Sequence, residues 1–207
     1  MKKVLFIADG SLSNPILQSQ GLPQLVINSD FGCIPFMMSF ENPLVLSQNS
    51  NDYNRYLETK ALFGEKITLV EVIVPFANAN FILQNQILRA LRFLLMILKG
   101  IYAVVQLTNR EKIDVIHCRS SYPTIIGVLS KFFTGARVIY DNRGIWSEES
   151  KGGHFNILPM LYHIIESVLL RFVDKVVVVS KPFREHLLSN YAINNLDKKI
   201  TVKKNGF

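Results

Sequence analysis

The sequence predicts a doubly wound α/β domain, with a mostly parallel sheet and helices on both faces, and three observations lead to this fold class. Short runs rich in Val and Ile alternate with longer segments of helical period, which is typical of parallel strands joined by crossover helices. The clearest run, KVVVVS at 175–180, is apolar without alternation, as in a strand covered on both faces. A chain of 207 residues, 49% hydrophobic, is long enough for one well-buried domain.

Seven segments are predicted as strands because each is short, apolar and bounded by polar or turn-forming residues. The first follows two lysines and resembles an export signal. Its apolar run stops at Asp9 after five residues, whereas a signal needs about seven to fifteen. The predicted strands are Lys3 to Ala8, Ile34 to Phe40, Ile67 to Pro75, Asp114 to Cys118, Arg137 to Tyr140, Lys175 to Ser180 and Ile200 to Lys203.

Helices are predicted between these strands, near 16–31, 53–63, 80–108, 122–133, 157–173 and 181–190. Gly32 follows the first helix and suits the left-handed position that ends many helices. Ser180 precedes the last and is expected to cap its start.

The basic balance of the chain, with a formal net charge of +7, suits nucleic acid, an anionic membrane or a phosphorylated substrate. Lysines and arginines are scattered rather than clustered on a recognisable binding module, which argues against a nucleic-acid partner. Cys33 and Cys118 lie far apart and in no metal-binding spacing, so we expect reduced thiols in a cytoplasmic protein.

The segment from Phe81 to Leu107 is the most apolar in the chain, but Arg89, Arg92 and Lys99 interrupt it. No uncharged run within it reaches the about 18 residues that a membrane span needs. It is predicted either as a helix buried against the sheet or as one that lies on an anionic bilayer, with those three cations at the membrane surface. A polar stripe repeats every seven residues at Asn85, Arg92, Lys99 and Gln106.

The sequence lacks the motifs of several kinds of nucleotide-binding, hydrolase and metal site. After the first strand there is a single glycine, Gly10, instead of G-x-G-x-x-G, and no phosphate-binding P-loop or G-x-S-x-G elbow occurs,. The four histidines form no paired metal-ligand motif,. We therefore expect no metal and no organic cofactor.

Four stretches of the sequence carry a family resemblance. They are NPILQSQGLPQLV at 14–26 with MSFENP at 38–43, DVIHCRSSYP at 114–123, VIYDNRGIWSEE at 138–149, and IIESVLLRFVDKVVVVSKPFREHL at 164–187. Together they resemble the N-terminal domain of family 4 glycosyltransferases, which have the two-domain GT-B architecture. The closing ITVKKNGF resembles the last strand and the turn into that family's second domain.

The resemblance implies that residues 1–207 form a Rossmann-like acceptor-binding domain. It implies retaining, metal-independent transfer of a hexosyl-type sugar from a nucleotide-sugar donor, which is a substrate and not a cofactor. The donor-binding domain is absent from the sequence, so this chain alone should be inactive. The expected partners are a sugar or lipid-linked acceptor and a donor domain, in cis or as a subunit in trans.

In doubly wound folds ligands bind beyond the carboxyl ends of the strands, which selects the candidate cleft residues. Two alternatives stay open for the first loop, a ligand contact or a plain strand-to-helix turn. Arg119 stands where many family members carry a histidine near the donor sugar, so Arg119 and Ser120 become candidates; His117 is predicted as a core histidine. The candidates are Asp9, Gly10, Ser11, Asn14, Arg119, Ser120, Asp141, Arg143, Trp146, Glu148 and Glu149.

The loop after the fifth strand also admits alternatives. Arg143 is suited to an acceptor phosphate or carboxylate, or to an ion pair with Asp141 or the two glutamates. Trp146 is suited to stacking on a sugar ring or to plugging the domain edge. Glu148 and Glu149 are suited to accepting hydrogen bonds from acceptor hydroxyls, to general-base catalysis or to a solvated helix start. No catalytic residue is assigned.

Three functions remain open at this point. The first is the acceptor half of a glycosyltransferase in polysaccharide or glycolipid assembly, in the cytoplasm at the inner membrane surface. The second is a membrane-attached subunit that pairs with a separate donor-binding chain, and the third is a ligand-binding protein without catalysis.

Overall fold

The structure is a computed structural model that describes residues 1–8, 10–30, 32–41, 50–74, 86–144 and 157–203. Within these ranges seven strands form one sheet: β1 (Lys2–Ile7), β2 (Cys33–Glu41), β3 (Thr68–Ile73), β4 (Val115–Arg119), β5 (Arg137–Asn142), β6 (Lys175–Val178) and β7 (Ile200–Val202).

Every strand pairing in the sheet is parallel, and the strand order is β3-β2-β1-β4-β5-β6-β7. The order reverses between β1 and β4, which creates a crevice beyond their carboxyl ends. The doubly wound fold predicted from the sequence is therefore confirmed, and each predicted strand is present with its ends shifted by at most two residues.

The helices connect the strands in the predicted order. A short helix at 196–199 was not predicted, because four residues are too few to show a helical period. Residues 80–85 of the third predicted helix lie outside the described part of the chain. The helices are α1 (Leu22–Asp30), which continues a π-helical turn at Leu17–Gly21, then α2 (Ser50–Phe63), α3 (Gln86–Glu111), α4 (Ser121–Thr134), α5 (Ile157–Phe172), α6 (Lys181–Asn190) and α7 (Leu196–Lys199).

The core has two parts, one on each face of the sheet, because side chains alternate along a strand. Leu5 and Ile7 of β1 face the larger cluster, which the helices from α3 onward cover. Phe6 and Ala8 face the smaller cluster, which includes residues from α1 and α2.

Both predicted helix caps are confirmed. Gly32 has a φ of 82°, a left-handed conformation that glycine adopts without steric cost,. The Ser180 Oγ accepts a hydrogen bond from the Phe183 backbone N–H at 3.3 Å, at the start of α6,.

The long helix α3 buries one face only. Ile97, Val104 and Leu107 reach the core, and Gly100 lies so close to Ile126 of α4 that a Cβ there would be 2.6 Å from the Ile126 Cδ1. Much of the remaining helix surface is exposed, and it carries apolar side chains such as Leu98 and Tyr102 beside the polar Lys99. The helix thus packs against the core on one side, and its contact with an anionic bilayer stays a prediction.

Among the described residues, the stretch Ala90–Glu111 of this helix is long and apolar enough to span a membrane by length and composition, with a mean hydropathy of 1.7.

Candidate functional site

A pocket of about 200 Å³ lies in the crevice beyond the carboxyl ends of β1, β4 and β5. Its position follows from the parallel topology, which gathers the loops after these strands at one edge of the sheet. Four of its six lining residues are sequence-predicted candidates. The pocket is lined by Asn14, Ile16, Leu17, Arg119, Ser120 and Arg143.

Arg143 enters the pocket while paired with a buried carboxylate. Its Nη2 donates a hydrogen bond to Asp141 Oδ2 at 2.8 Å, and its Nε lies 2.8 Å from Oδ1. The local ion pair considered in the sequence analysis is therefore present. The ion pair uses Nη2 and Nε of Arg143 and does not use Nη1. It therefore fixes the orientation of the guanidinium without occupying all of its N–H donors.

Asp141 is held as a carboxylate by its neighbours. Burial by itself would raise its pKa, but the interactions with His117 and Arg143 outweigh burial and lower the pKa,. The His117 Nε2 lies 3.7 Å from Asp141 Oδ2.

His117 differs from its prediction as a core histidine whose polar atoms are all hydrogen-bonded. Its side chain is partly exposed, and its Nε2 has no hydrogen-bond partner among the described residues. The reason is the alternation along β4: His117 lies two residues before Arg119 and faces the same side, whereas Ile116 and Cys118 face the larger core,. This spacing is a sequence signal that could have placed His117 beside the cleft.

Arg119 and Ser120 form the end of β4. Arg119 is 8% exposed, and its Nη2 donates to Gln20 Oε1 at 3.0 Å, which ties β4 to the π-helical turn. Ser120 has a φ of 75° and a ψ of 175°, a region that side chains rarely adopt and that costs on the order of 1–3 kcal/mol. Its backbone N–H donates to the Asp141 carbonyl at 3.1 Å, so the strained turn joins the loops of β4 and β5.

The loop after β1 is ordered by a residue that the sequence analysis did not select. Glu41, buried at the end of β2, accepts hydrogen bonds from Ser11 Oγ at 2.6 Å and from the Leu12 backbone N–H at 2.7 Å. Ser11 therefore uses its hydroxyl inside the loop. Gly10 is required by its φ of 117°,, whereas Asn14 reaches the pocket. The sequence signal that could have identified Glu41 is its position as an acidic residue at the end of an apolar strand.

A third buried carboxylate, Glu166, supports the end of β5 from the helix α5. Glu166 of α5 accepts hydrogen bonds from Tyr191 Oη at 2.8 Å, Asn142 Nδ2 at 3.0 Å and Tyr140 Oη at 3.4 Å. Burial raises the pKa of Glu166, against the lowering effect of these donors,. Since Asn142 directly precedes Arg143, this network positions the cleft loop. It was missed because each partner is 24 to 26 residues from Glu166 along the chain.

Some predicted residues are not placed. Asp9, Trp146, Glu148 and Glu149 lie outside the described residues, as do the side chain of Arg89 and residues 204–207. In the ranges that are described, no group of three or more His, Cys, Asp and Glu side chains is arranged to hold a metal ion. Metal independence stays a prediction.

The sequence matches the model of Glycosyltransferase Family 4 over residues 64–207, which is more than half of the chain. The chain therefore belongs to this family, and the resemblance is confirmed. Three of the stretches that carried it, at 114–123, 138–149 and 164–187, lie inside the matched span. A comparison with curated protein sequences found no match.

Solved structures share the fold. A glycosyltransferase from Rickettsia africae superposes with a TM-score of 0.58 at 22% identity, over 99% of this chain and 43% of its own. HepE from Anabaena, in complex with UDP and glucose, superposes with a TM-score of 0.60 at 15% identity, over 100% of this chain and 45% of its own. Sucrose-phosphate synthase from Thermosynechococcus elongatus superposes with a TM-score of 0.67 at 12% identity, over 100% of this chain and 49% of its own. The chain thus spans less than half the length of each of these proteins.

Proposed function

We propose that this chain is the acceptor-binding half of a glycosyltransferase that moves a sugar, with retention and without a metal, from a nucleotide-sugar donor to a sugar or lipid-linked acceptor. Polysaccharide or glycolipid assembly at the inner membrane surface is the proposed setting. The observation that carries the proposal is a pocket at the strand ends, in a member of family 4, that gathers two arginines with an asparagine and a serine.

The pocket chemistry favours an acceptor that carries an anionic group. A guanidinium binds a phosphate or carboxylate through two parallel N–H donors. Asp141 holds Arg143 and Gln20 holds Arg119, so binding costs little ordering of these long side chains. Asn14 and the Ser120 hydroxyl add neutral partners for sugar hydroxyls.

The donor is assigned to the part of a two-domain transferase that this chain does not contain. In support, the matching structures are about twice as long, and HepE among them was solved with UDP and glucose. The donor domain is supplied in cis or by a second subunit in trans. The described residues then hold and orient the acceptor, and this chain alone is not expected to transfer sugar.

The proposal is tested by mapping ligands on the chain with amide chemical shifts in NMR. Three probes are compared: glucose 1-phosphate, methyl glucoside and UDP-glucose. Glucose 1-phosphate should shift amides in 10–14, 119–121 and 141–144, because it combines an anion with sugar hydroxyls. Methyl glucoside should bind more weakly, and UDP-glucose should not bind with higher affinity than glucose 1-phosphate.

The matched variants are Arg143→Gln and Arg137→Gln, at opposite ends of β5. Loss of one guanidinium–phosphate contact should weaken glucose 1-phosphate binding by about tenfold in Arg143→Gln, with no change in Arg137→Gln. Equal affinities in the two variants, or shifts confined to residues outside the pocket, would show that the pocket is not the acceptor site.

A further inference from the structure

Behind the pocket, His117 of β4 has a buried ring nitrogen without a hydrogen bond. The side chain is 21% exposed, but its Nε2 is buried and has no hydrogen-bond partner in the described part of the chain. A buried polar atom in this state normally costs free energy. The nitrogen faces the Asp141 carboxylate, with 3.7 Å between Nε2 and Oδ2.

The same carboxylate oxygen already serves Arg143. Asp141 Oδ2 accepts a hydrogen bond from Arg143 Nη2 at 2.8 Å, so the imidazole and the guanidinium approach one atom. The second contact of the ion pair, between Arg143 Nε and Asp141 Oδ1 at 2.8 Å, lacks hydrogen-bond geometry, since neither atom has a hydrogen-bond partner among the described residues. A carboxylate can accept about four hydrogen bonds, so Asp141 has the capacity to accept one from His117 as well.

The sheet register creates this arrangement. On β4 and β5, Arg119 lies opposite Asp141 and His117 lies opposite Ile139. Because side chains alternate along a strand, His117, Arg119 and Asp141 all lie on one face of the sheet. On the β1 side, the ring of Phe6 packs edge-on to the imidazole at a centroid distance of 5.1 Å. The imidazole is thus held between an apolar ring and a carboxylate.

Among the described residues, the other elements around His117 bring no unpaired charge to it. The π-helical turn contributes the neutral Gln20, which accepts a hydrogen bond from Arg119. Two lysines lie on the same face of the sheet, but both are hydrogen-bonded elsewhere. Lys175 of β6 donates to a backbone carbonyl of α7 at 3.2 Å, and Lys203 after β7 donates to an amide oxygen on α1 at 2.9 Å.

Protonation of His117 would change the pocket in two ways, and histidine is the side chain that gains its charge near neutral pH. In the imidazolium both ring nitrogens are donors, so Nε2–H competes with Arg143 Nη2 for Asp141 Oδ2. With a neutral imidazole, Arg119, Arg143 and Asp141 sum to one positive charge, and the imidazolium adds a second. Both changes favour an anion at Arg143, because the guanidinium gives up part of its internal partner and the local potential becomes more positive.

We propose that His117 is a positioning residue of the pocket: when protonated, it binds the Asp141 carboxylate, releases the Nη2 donor of Arg143 and raises the affinity for an anionic sugar over a neutral one. The inference rests on the proposed function, because it requires Arg143 to bind the acceptor. It adds to that function the condition under which the pocket prefers an anionic group.

The test is the binding of glucose 6-sulfate to the purified chain, measured by amide chemical shifts from about pH 5.5 to about pH 8. A sulfate ester keeps its charge over this range, whereas a phosphate ester titrates at about pH 6. The affinity for glucose 6-sulfate should be about tenfold higher at the acid end. The affinity for the neutral methyl glucoside should not change with pH.

The matched variants are His117→Gln and His186→Gln. His117→Gln removes the titrating group and keeps an amide donor, so its affinity for glucose 6-sulfate should not depend on pH. His186 of α6 is exposed, lies beside Asn190 and does not line the pocket, so His186→Gln should keep the pH dependence of the unmodified chain. Circular dichroism verifies that both variants are folded.

A second readout needs no variant. Because the coupling between a proton and a ligand is reciprocal, bound glucose 6-sulfate should move the titration of the His117 ring protons upward by about one pH unit for a tenfold effect. Binding that does not vary with pH, or that varies equally in His117→Gln, would overturn this inference and leave the proposed function standing. Absence of binding at every pH would overturn the proposed function, and this inference with it.

Discussion

At the scale of single residues, the cleft is built by a few side chains that hold others in place. Asp141 holds Arg143, Gln20 holds Arg119 and Glu41 holds the loop after β1. Ser120 differs from these because it is held in an unfavourable backbone conformation, with a φ of 75°. Such strained residues occur where a site requires a particular chain path.

The strain at Ser120 predicts that Ser120→Gly stabilises the fold. Glycine accepts this backbone conformation, and the relief exceeds the entropy that a new glycine adds to the unfolded chain. The free energy of unfolding should rise by about 1 kcal/mol. Urea denaturation measures it, with Ser120→Ala as the control that removes the hydroxyl and keeps the Cβ. A lower stability in Ser120→Gly than in Ser120→Ala would show that the conformation carries no strain.

The candidate residues were predictable where strand ends decided their position. Asn14, Arg119, Ser120 and Arg143 follow apolar strands in the sequence, and parallel topology brings such positions together. Glu41 and Glu166 were not predictable in this way, because their partners are distant along the chain, as the 30 residues between Ser11 and Glu41 illustrate. Local sequence patterns do not reveal contacts between residues that are so far apart along the chain.

At the scale of elements, the strands were easier to predict than the helices. A central strand of a parallel sheet is apolar throughout and stands out from its surroundings. The helix α3 also exposes apolar residues such as Leu98 and Tyr102, so composition could not separate a core helix from one with an open side. The burial of Ile97 and Val104 and the packing of Gly100 on Ile126 show which face is inside.

Two buried carboxyls, Glu166 on α5 and Asp141 on β5, predict pH dependences of stability that run in opposite directions. The pKa of Glu166 is raised in the folded state, so folding binds its proton more tightly, and its contribution to stability falls as pH rises from the unfolded pKa to the folded one. The pKa of Asp141 is lowered, so its contribution is present above the unfolded pKa and is lost as pH falls through the folded one.

Urea denaturation of Glu166→Gln and Asp141→Asn across acidic to neutral pH checks these signs. As pH rises, stability relative to the unmodified protein should shift in favour of Glu166→Gln and against Asp141→Asn. The size is limited to about 1.4 kcal/mol for each unit of pKa shift. Parallel curves for the two variants would contradict the assigned charge states.

At the scale of the whole molecule, the chain is a Rossmann-like domain that belongs to Glycosyltransferase Family 4. The pocket lies at the carboxyl edge of its sheet. The fold class could be predicted from the sequence, because apolar strands alternate with helical segments. The contacts that fix the pocket could not, since the hydrogen bond from Arg119 to Gln20 joins residues 99 apart in the chain.

The central claim is that the pocket at the strand ends binds the acceptor. Its most direct test is a sugar-transfer assay on the full-length native polypeptide, with a panel of nucleotide-sugar donors and a membrane lipid extract as acceptor. Arg143→Gln should raise the apparent acceptor KM by about tenfold and leave the donor KM unchanged, whereas Arg137→Gln should alter neither. A rise in the donor KM alone, or identical kinetics in the two variants, would contradict the claim.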